Sequence, residues 1–159
     1  MVKANAVGKM WSEAELAYLA GFLDADGAIM ALIEKHAAKR FGFRVRVFVK
    51  VSQNSSEVLE RFKRKFKVGR VVKNRAAYDW IIKDQTHAQM ILSVLIPYLQ
   101  VKKTQARIAS NILRRTIRSR ENLIENATLA DTLSRLNVRS KNRRKNYAGM
   151  IKDYVSSND

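Results

Sequence analysis

Apolar and polar positions repeat with two different periods along the chain, and the switches between them mark out its elements. Ser12-Glu13-Ala14-Glu15 reads as a capping box, a serine followed three residues later by a glutamate. The helix it opens is predicted over Ala14 to about Ala25, with Gly27 as its stop. Leu16, Ala17, Tyr18, Leu19, Ala20, Phe22 and Leu23 leave that helix no wet face, which places it between layers or between subunits. Ala17 and Gly21, four residues apart, suit a close approach by another helix.

From Ala28 the period changes. Ala28 to Ile33 is an apolar run, and Phe43 to Val51 alternates: Val45, Val47, Val49 and Val51 face one way, and Arg44, Arg46, Phe48 and Lys50 the other. These two segments predict a long hairpin turning near Ala38 to Gly42, with one buried and one basic face. Asn54 with Glu57 is expected to cap a second helix along Val58, Leu59, Phe62 and Phe66. Val68 to Lys73 and Tyr78 to Ile82 predict a shorter hairpin turning around residues 74–77. A third helix is predicted from about Thr86, with Ala88, Ile91, Leu92 and Leu95 on one stripe and Pro97 ending it. A fourth runs from about Lys102 to Arg118, burying Ile108, Ala109, Ile112 and Leu113, and a fifth from about Asn122 to Leu136. After Asn137 a basic stretch reads as a tail that is disordered without a partner. The order α-β-β-α-β-β-α-α is an α+β pattern, antiparallel sheet with its helices segregated to one side. Residues 1–159 read as a single domain, with a core over about 12–137 and the basic tail over 138–159.

Charge narrows the function classes. Of 159 residues, 31 are Lys or Arg against 14 Asp or Glu, a formal net charge of +17. A field of that size attracts polyanions. There is no Cys, so disulfides, thiolate metal sites and Cys nucleophiles are excluded, and two His are too few for a His-rich zinc centre. No apolar run approaches the ~20 residues of a membrane span, and no secretory signal stands at the N-terminus. An intracellular, nucleic-acid-facing protein is expected, with no membrane partner. Residues 101–147 carry thirteen Lys/Arg and three acids, whereas residues 11–26 carry Glu13, Glu15, Asp24 and Asp26 and no basic residue. The dipole of the first helix favours Glu13 and Glu15 and opposes Asp24 and Asp26. A divalent cation held by a carboxylate and backbone carbonyls removes that conflict. A plain Asp-x-Asp-Gly turn is the competing reading of the same residues.

Residues 19–27, Leu-Ala-Gly-Phe-Leu-Asp-Ala-Asp-Gly, resemble the signature of the LAGLIDADG homing endonucleases, with seven of nine letters identical. The motif helix followed by two hairpins alternating with helices is similar to the single-motif branch, and the resemblance spans roughly residues 12–136. It implies the homing endonuclease fold, a saddle of antiparallel sheet with helices on its far side. It implies that Asp26 and the carbonyl of Ala25 bind Mg²⁺, with Mn²⁺ able to substitute and Ca²⁺ supporting binding without cleavage. Asp24 is not the principal ligand by this resemblance and is expected to satisfy backbone groups near the helix ends. Pro97 to Gln105 is similar to a family segment carrying an active-site lysine, which falls on Lys102. Gln53 matches a residue that organises the attacking water, and a strand-end amide satisfying backbone is its alternative. One departure is evident: Ser56 and Glu57 stand where the family often has a basic residue early in the second helix, and Arg61 comes a turn later.

A single motif per chain supplies one Asp26, while two strands need two scissile sites. The resemblance therefore implies a homodimer packed through Ala17, Ala20 and Gly21 of the first helix, an isologous contact. A twisted antiparallel sheet can lie along the DNA major groove, where base edges carry a unique donor and acceptor code. Candidate groove residues are Ala28, Met30, Leu32, Glu34 and His36 in the first strand, Arg40 in the turn, and Arg44, Arg46 and Lys50 in the second strand. Lys73, Arg75, Asp79, Ile81 and Lys83 are the candidates of the short hairpin. Arg139, Lys141, Arg143 and Arg144 are expected on phosphates, which position without specifying. The implied function is cleavage of a long, pseudo-palindromic double-stranded DNA site by an intron-encoded enzyme, leaving 3′ overhangs. It would act in the compartment holding its target, a prokaryotic cytoplasm or an organelle. Two rivals share the fold: a maturase that binds intron RNA, and a DNA-binding regulator that does not cut.

Overall fold

The computed structural model describes residues 3–4, 10–137 and 145–158. In chain order the elements are β1 (Lys3–Ala4), β2 (Met10–Trp11), α1 (Glu13–Asp26), β3 (Gly27–Lys35), β4 (Phe43–Gln53), α2 (Glu57–Phe66), β5 (Arg70–Asn74), β6 (Ala77–Ile82), α3 (Gln85–Leu95), α4 (Lys103–Arg114), α5 (Arg120–Asn137) and α6 (Tyr147–Ser156). β1 and β2 pair in a two-residue ladder, and the other strands form one antiparallel sheet in the order β3-β4-β6-β5. This is the expected α+β architecture, with four helices after the second hairpin: the three predicted one by one there, and α6 besides.

The capping box of α1 is formed. Ser12 Oγ accepts from the Glu15 N–H at 3.2 Å and the Glu15 carboxylate accepts from the Ser12 N–H at 2.9 Å. At its other end the chain leaves the helix straight into β3 through Gly27, where a Cβ would stand 2.6 Å from the Leu23 carbonyl oxygen and meet the Leu23 side chain. Leu16, Leu19, Ala20 and Leu23 are buried, each a side chain whose removal from water contributes up to about 1.5–3 kcal/mol for the larger ones. The rest of α1 is not enclosed by this chain: Ala17, Tyr18, Gly21 and Ala25 are exposed.

The β3–β4 register pairs Ala28 with Lys50, Met30 with Phe48, Leu32 with Arg46 and Glu34 with Arg44, so these eight share one face. The opposite face carries Ile29, Ile33, Val47, Val49 and Val51, joined by Trp80 and Ile82 of β6, and all are buried under the helices. Phe62 and Phe66 of α2 close that core over Trp80, at 5.6 Å and 6.4 Å between ring centroids. Gly69 enters β5 with φ +74°, and a Cβ there would collide with the Trp80 indole nitrogen at 2.6 Å.

Several boundaries differ from expectation. α2 begins after Ser56 rather than at an Asn54 cap, and the nearest side-chain support is Ser55 Oγ accepting from Glu57 N–H at 3.3 Å. α4 stops at Arg114, because Arg115 is extended and residues 115–118 lead to Ser119, whose hydroxyl accepts from Asn122 N–H at 3.1 Å and starts α5. Within α4, Ala106, Ala109, Ser110 and Ile112 are buried, while Ile108 and Leu113 are only half-buried.

The largest correction is α6, placed where a disordered tail was expected. Asn146 caps it, accepting from Gly149 N–H at 3.0 Å, and buried Asp131 of α5 accepts from the N–H groups of Tyr147 and Ala148 at 2.6 and 3.0 Å. Tyr147 and Ile151, one turn apart, are buried against α5. At the end of α5, the Asn137 amide donates to the Ile29 carbonyl at 2.6 Å, fastening that helix to β3.

Candidate active site

The C-terminal end of α1 gathers residues from three parts of the chain. Asp26, the last helical residue, is exposed, and its Oδ2 accepts from Gln53 Nε2 at 2.7 Å. Gln53 is the last residue of β4, and the pairing of Gly27 with Val51 sets it beside the helix end. The side-chain amide predicted either to organise water or to satisfy backbone therefore spends its N–H on Asp26, which leaves its oxygen as an acceptor.

Asp24 binds backbone groups, as expected, but distant ones. Its two carboxylate oxygens accept from Gln100 N–H at 2.7 Å and Lys102 N–H at 2.8 Å. That clamp draws the loop between α3 and α4 against α1, and the Lys102 ammonium donates to the Asp24 carbonyl. The last-turn carbonyls of a helix lack intrahelical partners and carry partial negative charge, so a cation is favoured there. Lys102 serves the Asp24 carbonyl, and the Gly27 N–H serves Leu23. The Ala25 carbonyl has no partner within the helix, since α1 ends before residue 29 could donate.

Asp26 and Ala25 thus present hard oxygen donors of the kind Mg²⁺ takes. Among the described residues no group of three or more His, Cys, Asp or Glu side chains is assembled for a metal. Asp26 and Ala25 are both exposed, so this helix end is open to solvent. Arg61 does not stand in for a basic residue early in α2 at this spot: its Nη2 lies 3.5 Å from the Tyr18 hydroxyl, on the flank of α1 about 12 Å of helix away from Asp26.

The sheet face away from the helices adjoins this end of α1. Ala28, Met30, Leu32, Glu34, Arg44, Arg46 and Lys50 all lie on it, as predicted. Not all of its charge is available. Glu34 accepts from Arg44 Nε at 2.7 Å and has Arg46 at 3.9 Å. The Arg44 guanidinium holds the Glu34 carboxyl below the usual carboxylate range. Arg46 and Lys83 stack over Phe48, at 4.9 and 5.7 Å from the ring centroid. His36 begins the β3–β4 turn, with its backbone N–H on the Gly42 carbonyl at 2.8 Å and its ring Nδ1 buried without a partner, and Arg40 is exposed over the Phe41 ring.

The short hairpin corrects three assignments. β5 and β6 pair Val72 with Asp79 and Lys73 with Tyr78, so the outward residues of β5 are Arg70, Val72 and Asn74, and Lys73 points with Trp80 toward the helix side. The prediction carried odd numbers across the turn, whereas the pairing joins even to odd. Alternation within one strand cannot reveal that. Asp79 is on the outward face, as is Ile81, but it is buried beneath Lys50, Ser52 and Asn74 and so is closed to a base edge. Arg75 occupies the turn itself with φ +56°, exposed. For the α1 face, Ala17 and Gly21 are exposed, and a Cβ on Gly21 would meet nothing within 4 Å. Ala20 is fully buried in the core of its own chain and cannot belong to a contact with another. Arg139, Lys141, Arg143 and Arg144 fall outside the described residues.

Comparison with known proteins is concordant. Residues 19–112 match the LAGLIDADG endonuclease family. The chain is 32% identical over 127 residues to the DNA endonuclease I-CvuI of Chlorella vulgaris, covering 77% of this chain and 79% of that protein. It is 28% identical, also over 127 residues, to the DNA endonuclease I-CreI of Chlamydomonas reinhardtii, covering 77% and 78%. The crystal structure of I-CvuI with the I-CreI target DNA superposes with a TM-score of 0.82 at 29% identity, over 91% of this chain and 94% of that one. An archaeal intron-encoded homing endonuclease, I-Vdi141I, shares the fold at a TM-score of 0.78 and 18% identity, over 91% of this chain and 98% of that one. By motif, by fold and by these relatives, the chain belongs to the LAGLIDADG endonuclease family.

Proposed function

We propose that the protein is a site-specific, divalent-metal-dependent DNA endonuclease working as a homodimer inside the cell. The observation that carries this reading is the convergence of Asp26, Gln53 and Lys102 on one helix end beside a basic, solvent-facing sheet. The relatives add support: I-CvuI and I-CreI are DNA endonucleases, and I-CvuI has been crystallised on target DNA with Mg or with Ca. In this reading Asp26 and the Ala25 carbonyl hold the metal. When bound, the ion supplies Lewis acidity for the attacking water and for charge on the phosphate.

The protein's own groups do the rest. Gln53 fixes the rotamer of Asp26 through Nε2 and turns Oε1 toward the attacking water. Lys102, anchored on the Asp24 carbonyl, has ammonium protons left for a phosphate oxygen as negative charge builds there. Water adds to phosphorus as the bond to the 3′-oxygen breaks, and the products are a 5′-phosphate and a 3′-hydroxyl. Two such sites are needed for two strands. The exposed stripe of Ala17, Gly21 and Ala25 is a surface on which two copies pack about a two-fold axis and bring two Asp26 side chains together, with breaks staggered to leave 3′ overhangs.

The test is to incubate the purified protein and Mg²⁺ with a randomised duplex library and sequence the cut ends. Enrichment of a two-fold-related motif with a fixed stagger is the expected result. Binding without cutting would instead favour a regulator or an RNA-directed role.

A further inference from the structure

A buried acid lies in the middle of the sheet face assigned to DNA. Asp79 is 4% exposed, yet it stands on the outward side of β6 with Ile81, opposite Ser52 on one flank and Val72 on the other. An anion pointing toward a polyanion weakens binding unless its charge is used within the protein. Here it is used three ways. Oδ1 accepts from the Ser52 hydroxyl, and Oδ2 accepts both from Asn74 Nδ2 at 2.8 Å and from the Lys50 ammonium at 3.4 Å.

The chemistry of those bonds determines what the cluster shows to solvent. An ionised carboxylate only accepts, so the Asn74 amide has to turn its NH₂ inward and its oxygen outward. An exposed asparagine without that anchor rotates freely and offers a donor or an acceptor alike. Lys50 is tethered by one of its three protons, and the other two remain as donors at a set place. The cluster therefore presents one defined donor and one defined acceptor, both gathered around a single carboxylate oxygen.

We infer that Asp79 is a positioning residue for base recognition, holding Lys50 as a donor and Asn74 Oδ1 as an acceptor for one base-pair step in the major groove. That pairing matches an edge with adjacent acceptor and donor groups, such as guanine O6 beside cytosine N4–H₂ or adenine N7 beside N6–H₂. Asp79 itself touches no base. The inference rests on the DNA-cleaving function proposed above and deepens it by naming how part of the site is read.

The test is affinity selection from a randomised duplex library in Ca²⁺, with binding profiles compared for the wild type, Asp79→Asn, Asn74→Ala and Lys50→Ala. Asp79→Asn is expected to lose about tenfold in discrimination at the base pairs that Asn74→Ala and Lys50→Ala also relax, and at no others, within the range that base-edge hydrogen bonds supply. Ser52→Ala leaves both ends of the pair in place and is expected to relax the same positions more weakly. It serves as the readout should Asp79→Asn fold poorly. An unchanged profile in both variants would overturn the inference, as would relaxation at a position that neither Lys50 nor Asn74 governs. A wild-type profile with no preference anywhere would overturn the DNA-reading function itself, and the inference with it.

Discussion

The Asp24 carboxylate and the Lys102 backbone N–H meet at 2.8 Å, joining the end of α1 to a loop 78 residues further along the chain. The contact makes Asp24 a structural clamp and Lys102 its beneficiary. Asp24→Ala removes acceptors from two backbone N–H groups, and bonds to a charged group contribute about 1.5–3 kcal/mol each. Chemical denaturation is expected to show a loss of about 2–4 kcal/mol, and cleavage is expected to slow as Lys102 loses its placement. A variant as stable and as active as the wild type would remove Asp24 from that role.

Asp26 and Lys102 should separate binding from chemistry. Asp26→Asn is expected to keep duplex affinity and abolish cutting. Lys102→Met is expected to slow single-turnover cleavage by about 10²–10³-fold, the loss that follows removal of one preorganised donor. Both are read by titrating one labelled duplex in Ca²⁺ for binding and in Mg²⁺ for cleavage. Undiminished cleavage by Asp26→Asn would take that residue out of the mechanism.

α6 is held on α5 by buried Tyr147 and Ile151 and, at its first turn, by one carboxylate. Asp131 is 5% exposed and accepts from the N–H groups of Tyr147 and Ala148. Asp131→Ala orphans both donors at a helix start, and a loss of about 2–4 kcal/mol is expected. Hydrogen exchange should then show residues 147–156 opening before α5. Uniform loss of protection across the whole chain would instead make α6 an integral part of the core.

The Asp79 cluster predicts an acid-sensitive contribution to stability. Burial by itself pushes the Asp79 carboxyl up, but hydrogen bonds from Ser52 and Asn74, with the Lys50 ammonium beside it, outweigh that and hold it below the usual carboxylate range. A depressed folded-state value means stability that is fully present above the unfolded-state value near 3.9 and is lost as pH falls through the folded-state one. The stability gap between wild type and Asp79→Asn, followed by denaturant melts from pH 6 to pH 2, should be flat at first and narrow only below about pH 4. A constant gap throughout would show that the charge contributes nothing.

Local signals were legible because their physics is local. The Ser12–Glu15 capping box, the alternation of Val47, Val49 and Val51 and the Leu92–Leu95 stripe each involve residues a few positions apart, and each stands where expected. The nonapeptide at residues 19–27 located the site for the same reason, being contiguous. α6 carried a readable cap at Asn146 and a Tyr147–Ile151 spacing, but the dense basic run before it dominated the reading. The error at Lys73 arose from a different cause, since the parity between two strands is set by the turn and the pairing, not by either strand's own pattern.

Linear order was therefore enough for the element types from α1 to α5, the basic field and three of the residues clustered at the end of α1, Asp26, Gln53 and Lys102. Folding in three dimensions settled their company: Gln53 against Asp26, the Gln100–Lys102 loop on Asp24, Asp79 beneath Lys50 and Asn74, and Ala20 inside its own core rather than on a shared face. Periodicity says which side of an element is apolar. It cannot say which distant donor finds which acceptor, because that depends on strand register and helix placement, and those are settled only when the whole core packs.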